Sequence, residues 1–171
     1  WSDVLKTVQN SKLLIYRHQM LQRDIDRLIK QFSENGIEKD RLIFDNKKED
    51  SHFKNYIKCD IALDPVPFSG LTITIEQAHM GVPTLTMPGD TISSRGAARV
   101  NKAIGLKDFI AKNEKDYVKK ASTITSNIEK LRYYRKNLPT IIENSILCTK
   151  FEKYTQEIEK EYKKAWRKFC R

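Results

Sequence analysis

The chain has 171 residues, a formal net charge of +10 at neutral pH and a hydrophobic fraction of 39%. This length suits one domain with a sizeable core, and no apolar run approaches the roughly 18 to 20 residues of a membrane span. The three cysteines are widely spaced. They predict free thiols in a reducing, cytoplasmic compartment rather than a disulfide framework or a zinc site.

The basic charge does not by itself favour nucleic-acid binding. Lysines alternate with acidic residues, most clearly over 152–168, as they do on a solvated helix face. No RNA-recognition motif, KH loop or zinc finger accompanies them. We therefore expect no nucleic-acid partner, and a filter-binding assay with a salt titration would expose one.

Short apolar runs alternate with helical periodicities along the first two-thirds of the chain. Residues 2–9 are expected to end a helix. Strands are predicted at 13–16, 41–44, 60–64 and 84–87. Helices are predicted over 24–35, 51–58, 72–81 and 94–104, with glycines or Pro83 as stop signals. This alternation predicts an α/β fold with a Rossmann-like parallel sheet and helices on both faces.

The last third is predicted to be helical. Asn113 can cap a helix that runs to a break at Leu138-Pro139, and Thr149 to Glu152 matches a capping box that opens a final helix. An apolar stripe on this final helix is expected to pack in a core, to which a second domain outside these residues could contribute. It comprises Phe151, Tyr154, Ile158, Tyr162, Ala165, Trp166 and Phe169.

The segment 68–76 carries the clearest functional signal. Gly70 and Thr72 lie where a buried strand gives way to a helix, and Glu76 follows about one turn later. A helix N-terminus binds phosphate groups through unpaired N–H groups and its dipole. The segment lacks the Walker A and GxGxxG spacings. A plain strand–turn–helix junction, with Thr72 as the cap, is therefore the alternative.

Three loops, at 45–51, 65–72 and 88–94, each follow a predicted strand. In a parallel sheet they share one edge, the edge at which such sheets bind ligands. His52 follows the first loop, although a lone histidine there is more typical of a surface or capping residue. No catalytic triad, paired carboxylates or metal-ligand spacing stands out. Spacing thus predicts a nucleotide site without an evident catalyst.

From Trp1 to the last helix the chain resembles the C-terminal half of the O-linked N-acetylglucosamine transferase (SPINDLY-like) glycosyltransferases. The resemblance implies a GT-B fold of two Rossmann-like halves. This chain would be the donor-binding half, with residues 113–171 as a helical extension. The matching stretches are Trp1–Ser11, Arg41–Phe44, Lys48–His52, Cys59–Asp64, Gly70–Thr72 with Glu76, Met80–Arg95 and Gly105–Asn113.

The resemblance implies a site for a UDP-sugar. His52 would pack on uracil, Glu76 would bind the ribose, and Lys48 matches a family lysine with an offset of one residue. The turn before and into the helix would hold the diphosphate through Gly70, Leu71, Thr72 and Ile73. Such enzymes are inverting and need no metal or other cofactor, because amides and a lysine neutralise the leaving diphosphate.

The chain departs from the family pattern in three ways. Leu71 replaces a histidine, and Asn55 stands where animal enzymes carry an arginine near uracil. The first strand of this half and the acceptor-binding half are also expected to lie outside these residues. No catalytic residue is therefore expected within the chain.

These observations leave two hypotheses. In the first, the chain is the UDP-sugar-binding half of a metal-independent transferase, with the N-terminal GT-B half and an acceptor protein or peptide as partners. In the second, it is a non-catalytic interaction module derived from a transferase half. Leu71 and Asn55 favour the second modestly.

Overall fold

The computed structural model describes residues 1–45 and 52–170. The strands are β1 (Leu13–Tyr16), β2 (Leu42–Asp45), β3 (Ala62–Leu63) and β4 (Thr84–Leu85). The helices are α1 (Ser2–Thr7), α2 (Gln22–Glu34), α3 (Phe53–Ile57), α4 (Thr72–His79), α5 (Gly96–Ala103), α6 (Glu114–Thr125), α7 (Ile128–Glu143), α8 (Ile146–Thr149) and α9 (Phe151–Phe169). The predicted alternation of strands and helices is confirmed.

The strands are parallel, as predicted, but they form two separate pairs in the part of the chain that the structure describes. β1 pairs with β2, with Leu13 opposite Leu42. β3 pairs with β4, with Ala62 opposite Thr84. The β4 side continues through a parallel bridge between Thr86 and Ile110.

The main core lies between the β3–β4 pair and the helices that follow it. Leu85, Phe109, Leu138 and Ile142 are completely buried there. A smaller cluster lies beside β2 and comprises Leu5, Phe32, Ile37 and Leu42. Burying one such side chain stabilises the folded state by about 1.5–3 kcal/mol relative to leaving it exposed. The two clusters correspond to the two strand pairs.

The helix predicted from Asn113 to Leu138 is two helices. Asn113 caps α6 as expected, since its side chain accepts a hydrogen bond from Asp116 N–H at 2.9 Å. Asn127 then caps α7 by accepting from Lys130 N–H at 2.9 Å. The break therefore falls at Asn127, because its amide competes for the backbone N–H groups of a new first turn.

Pro139 was predicted to end a helix, and this is wrong, because α7 continues through it to Glu143. Proline has no N–H, so the carbonyl of Arg135 has no donor one turn later. Gly81 lies against that carbonyl with a φ of +74°, and a Cβ there would come within 2.4 Å of the oxygen. The missing hydrogen bond in α7 thus leaves room for the backbone at Gly81 to come close to this helix.

The final helix α9 departs from prediction in two respects. Its N-cap is Lys150 without a side-chain cap, while the Thr149 hydroxyl donates to the Ser145 carbonyl at 2.8 Å. The predicted capping box is therefore absent. The aromatic stripe is solvent-exposed, with Trp166 at 65%, so the prediction of a packed core is wrong for this chain by itself.

Within residues 1–45 and 52–170, no helix combines the length and the apolar character that crossing a membrane requires.

Candidate functional site

The turn before α4 is held by Asp64, which follows β3 and is buried. Its Oδ2 accepts hydrogen bonds from the hydroxyls of Ser69 and Thr86, each at 2.6 Å. Its Oδ1 accepts from the Gly70 N–H at 2.9 Å. A buried carboxylate with three donors is well satisfied, so it fixes the turn rather than offering itself to a ligand.

The start of α5 packs directly on this turn. The Ala97 N–H donates to the Ser69 hydroxyl at 2.9 Å. A Cβ on Gly96 would lie 3.0 Å from the Gly70 carbonyl oxygen, so only glycine allows this approach without a shift. The first turns of α4 and α5 therefore meet at Gly70.

Among the described residues, no side chain caps the N-terminus of α4. Leu71 occupies the N-cap position and Thr72 is the first helical residue, so the cap that the alternative of a plain junction assigned to Thr72 is not formed. Thr74 instead donates its hydroxyl to the Gly70 carbonyl at 2.9 Å. The first amides of a helix have no partner within it, so those of α4 remain available to an anion. The Leu71 and Ile73 side chains beside them are exposed.

The structure brings two predicted site residues into contact. His52 Nε2 and Glu76 Oε2 lie 2.9 Å apart, and both side chains are about one-third exposed, at 33% and 28%. His52 is the N-cap residue of α3, whereas Glu76 lies on α4 one turn after Thr72. The imidazole also stacks on Phe53, with ring centroids 4.3 Å apart.

Tyr56 completes the aromatic surroundings of this pair. Its ring meets His52 edge-on at a centroid distance of 5.7 Å. Its buried hydroxyl has no hydrogen-bond partner among the described residues. Burial, followed by the negative charge of Glu76, raises the pKa of Tyr56 well above its ordinary value. The phenol is therefore neutral at physiological pH and can donate a proton in a hydrogen bond.

Arg135 on α7 ties the helices that carry His52 and Glu76. Its guanidinium donates to the carbonyls of Tyr56 at 3.1 Å and Met80 at 3.0 Å, and also to that of Cys59. These carbonyls lie at the C-terminal ends of α3 and α4, where a cation is favoured by the helix dipole.

Two of these residues were missed in the sequence. Asp64 could have been found as a carboxylate at the carboxyl end of a buried strand, since such strand ends line ligand sites. Arg135 carried no signal, because its partners lie 55 to 79 residues away.

The predicted binding residues divide into three groups. His52 and Glu76 form a contact, while Gly70, Leu71, Thr72 and Ile73 form the turn and first residues of α4. Lys48 lies outside the described residues. Asn55 is buried, and its side-chain oxygen accepts from the Lys58 ammonium at 3.3 Å. In the described part of the chain, no three His, Cys, Asp or Glu side chains are grouped as a metal site.

The comparisons with known proteins all indicate the same family. The model of glycosyl transferase family 41 matches residues 1–158. A tomato (Solanum lycopersicum) protein, a probable UDP-N-acetylglucosamine–peptide N-acetylglucosaminyltransferase SPINDLY, is 31% identical over 99% of this chain. The corresponding probable transferase SEC of Arabidopsis thaliana is 26% identical over 99%.

The chain spans about one-fifth of the length of these relatives, at 18% and 17%. A solved structure of an O-GlcNAc transferase mutant from Thermobaculum terrenum has the same fold, with a TM-score of 0.86 at 22% identity. The match covers 99% of this chain and 33% of that one. Because the family model matches residues 1–158, which is most of this chain, the chain belongs to glycosyl transferase family 41.

Proposed function

We propose that the chain is the UDP-sugar-binding half of a metal-independent, inverting glycosyltransferase that modifies protein side chains. The observation that carries this proposal is the 2.9 Å contact between His52 and Glu76 beside the uncapped start of α4. It places an aromatic nitrogen ring, a carboxylate and a set of free amides together. A ring can pack on a base, a carboxylate can bind a ribose hydroxyl, and free amides can bind a diphosphate.

Each group has a role in holding the donor. Amides at Leu71, Thr72 and Ile73 donate to diphosphate oxygens, and the positive end of the α4 dipole favours their charge. Glu76 keeps one carboxylate oxygen for a ribose hydroxyl while the other contacts His52. The imidazole offers a ring surface to uracil. Lys48 keeps only the role that the resemblance implies, a positive charge for the diphosphate.

The chemistry would be completed outside this chain. Sugar transfer releases UDP. Donors already aimed at its diphosphate oxygens stabilise the negative charge that develops on them. The α4 amides supply that stabilisation without a metal ion. The N-terminal GT-B half would then bind the acceptor protein or peptide, and the remaining catalytic groups would lie with the first strand of this half, outside these residues. The free thiols of Cys59, Cys148 and Cys170 support a reducing, cytoplasmic location for the enzyme.

Calorimetry with UDP, a UDP-sugar and ADP tests the proposal on the full-length protein. The account predicts binding of both uridine ligands and weaker binding of ADP, because the His52 ring packs on the base whereas the ribose and the diphosphate are common to all three ligands. A preference for ADP would overturn the assignment. Retained UDP affinity after Glu76→Ala would remove that residue from the site.

The alternative is a non-catalytic interaction module, and the exposed aromatic face of α9 favours it. Tyr162 and Trp166 are 72% and 65% exposed, as expected of a surface that contacts a partner. Absence of both UDP binding and sugar transfer in the full-length protein would favour this function. Transfer of sugar to a peptide would exclude it.

A further inference from the structure

Tyr16 lies at the edge of the sheet beside the proposed nucleotide site. It is the last residue of β1 and pairs with Asp45, the last residue of β2. The carboxyl ends of parallel strands form the edge at which α/β sheets bind ligands. Because Tyr16 is only partly buried, its side chain is accessible at this edge.

The rings of Tyr16 and His52 are nearly parallel but stand apart. Their centroids are separated by 6.5 Å and their planes are inclined by 26°. The imidazole stacks much more closely on Phe53, at a centroid distance of 4.3 Å. Carbon atoms in van der Waals contact lie about 3.5–4.0 Å apart, so a flat ring that touches two walls needs about 7 Å between them. The separation of Tyr16 and His52 is close to this requirement, whereas Phe53 leaves no room for another ring.

The space beside these two rings is open. Both side chains line a cleft of about 880 Å³, and Tyr56 lines it as well. The Tyr56 ring is perpendicular to the imidazole, with the two centroids 5.7 Å apart. Two nearly parallel rings and a third ring across their side give the cleft the shape of a slot for a flat aromatic group.

The position of Glu76 fits a nucleoside in this slot. Its carboxylate contacts the edge of the imidazole, at Nε2, rather than a face of the ring. The ribose of a nucleoside is attached at the edge of the base. A base that stacks on His52 can therefore direct its ribose toward Glu76 while both of its faces remain in contact with aromatic rings.

We propose that Tyr16 is the second wall of the nucleobase slot, so that the base of the nucleotide is held between the rings of Tyr16 and His52. This inference rests on the proposed function and adds to it a residue that contacts the second face of the base. Aromatic side chains stack on every base, because each base has a π-face. Tyr16 therefore strengthens the binding of a nucleotide without itself choosing between uracil and adenine.

Calorimetry on the full-length protein with UDP, ADP and inorganic pyrophosphate tests this role. Tyr16→Leu removes the ring and keeps an apolar side chain of a kind that β1 already contains. The affinities for UDP and ADP should each fall at least about fivefold, the loss expected for one stacked base. The affinity for pyrophosphate, which has no base, should not change. Tyr16→Phe keeps the ring and should bind all three ligands as the unsubstituted protein does.

Tyr162→Leu, at an exposed position on α9, is the matched control and should change none of the three affinities. Unchanged UDP binding by Tyr16→Leu, or an equal loss of UDP and pyrophosphate binding, would overturn the inference. So would an equal loss in Tyr16→Phe, because the hydroxyl and not the ring would then be responsible. If the unsubstituted protein prefers ADP, the uridine assignment fails, yet the loss in Tyr16→Leu still tests the slot. Binding of neither nucleotide would overturn both.

A fluorine label tests the stack without removing the ring. Fluorotyrosine replaces Tyr16 in the full-length protein, and its fluorine NMR resonance is recorded with saturating UDP or with pyrophosphate. The ring current of a stacked base should shift the resonance with UDP and not with pyrophosphate. The same label at Tyr162 should shift with neither ligand. An unshifted resonance of the labelled Tyr16 at saturating UDP would overturn the inference.

Discussion

His52 and Glu76 lie 2.9 Å apart although 24 residues separate them in the chain. The contact joins the start of α3 to the middle of α4 and brings an imidazole and a carboxylate to one place beside the free amides of α4. It is the feature on which the proposed nucleotide site rests.

Replacing Glu76 by alanine should weaken UDP binding by about 10- to 100-fold, because hydrogen bonds to charged groups contribute about 1.5–3 kcal/mol. Calorimetry with UDP measures the change. Glu129→Ala is a matched control, since Glu129 is an exposed surface residue paired with Arg132. Equal affinities for the two variants would show that Glu76 does not bind the nucleotide.

Replacing Asp64 by asparagine should lower the free energy of unfolding by about 1–3 kcal/mol, because an amide nitrogen would face donors that now bond to a carboxylate. A urea titration monitored by circular dichroism gives the difference. Asp40→Asn, at an exposed position, should leave the midpoint unchanged. If both variants unfold at the same urea concentration, the Asp64 network does not stabilise the turn.

Replacing Gly96 by alanine should displace the turn at Gly70 and reduce UDP affinity, because the new Cβ would lie 3.0 Å from the Gly70 carbonyl. Gly105→Ala is the control, since a Cβ there meets nothing within 4 Å, although its φ of +79° is strained. We expect the control to lose stability and keep its UDP affinity. Unchanged UDP binding by Gly96→Ala would contradict the proposed approach of α5 to the site.

Replacing Arg135 by alanine should destabilise the fold by about 1–3 kcal/mol, since partly buried carbonyls at the ends of α3 and α4 lose their donor. UDP affinity should fall as well, because the positions of His52 and Glu76 depend on those helices. Denaturant titration and calorimetry measure the two effects. Arg132→Ala removes an exposed guanidinium from the same helix and should change neither. Normal stability of Arg135→Ala would contradict this role.

Tyr56 gives a prediction for alkaline pH. Burial and Glu76 raise its folded-state pKa, so the unfolded phenol ionises first as the pH rises. The contribution of the neutral Tyr56 phenol to the free energy of unfolding is fully present below about pH 10, the unfolded pKa. It is lost as the pH rises from there through the folded-state pKa. Tyr56→Phe should therefore unfold at the same or a higher urea concentration at pH 7 and lose stability less steeply above pH 10. The exposed Tyr162→Phe variant is the control, and identical pH dependence in both would refute the prediction.

The sequence predicts local structure well where one signal dominates. The apolar run at 13–16 has the same bounds as β1, and Asn113 caps α6 as expected. Prediction fails where local signals compete. Asn127 starts a new helix before Pro139 is reached, and the Arg135 carbonyl that Pro139 leaves free lies against Gly81.

The candidate site is predictable in its parts and not in its assembly. Gly70, Thr72 and Glu76 are identifiable from the strand-to-helix junction, and resemblance to the family adds His52. Their arrangement depends on Asp64 and Arg135, whose bonds reach 22 and 79 residues along the chain, respectively. Such long-range bonds leave no periodic pattern in a single sequence. The exposure of α9 likewise depends on what packs beside it.

The central claim is that this chain provides a uridine nucleotide site, and the ratio of UDP to ADP affinity in the full-length protein tests it most directly. Calorimetry at one salt concentration should give a UDP affinity at least about tenfold higher than that for ADP, a difference of about 1.4 kcal/mol. The preference should shrink in His52→Ala, which removes the ring that packs on uracil, whereas Glu76→Ala should weaken both ligands because they share the ribose. Equal affinities, or tighter binding of ADP, would contradict the account.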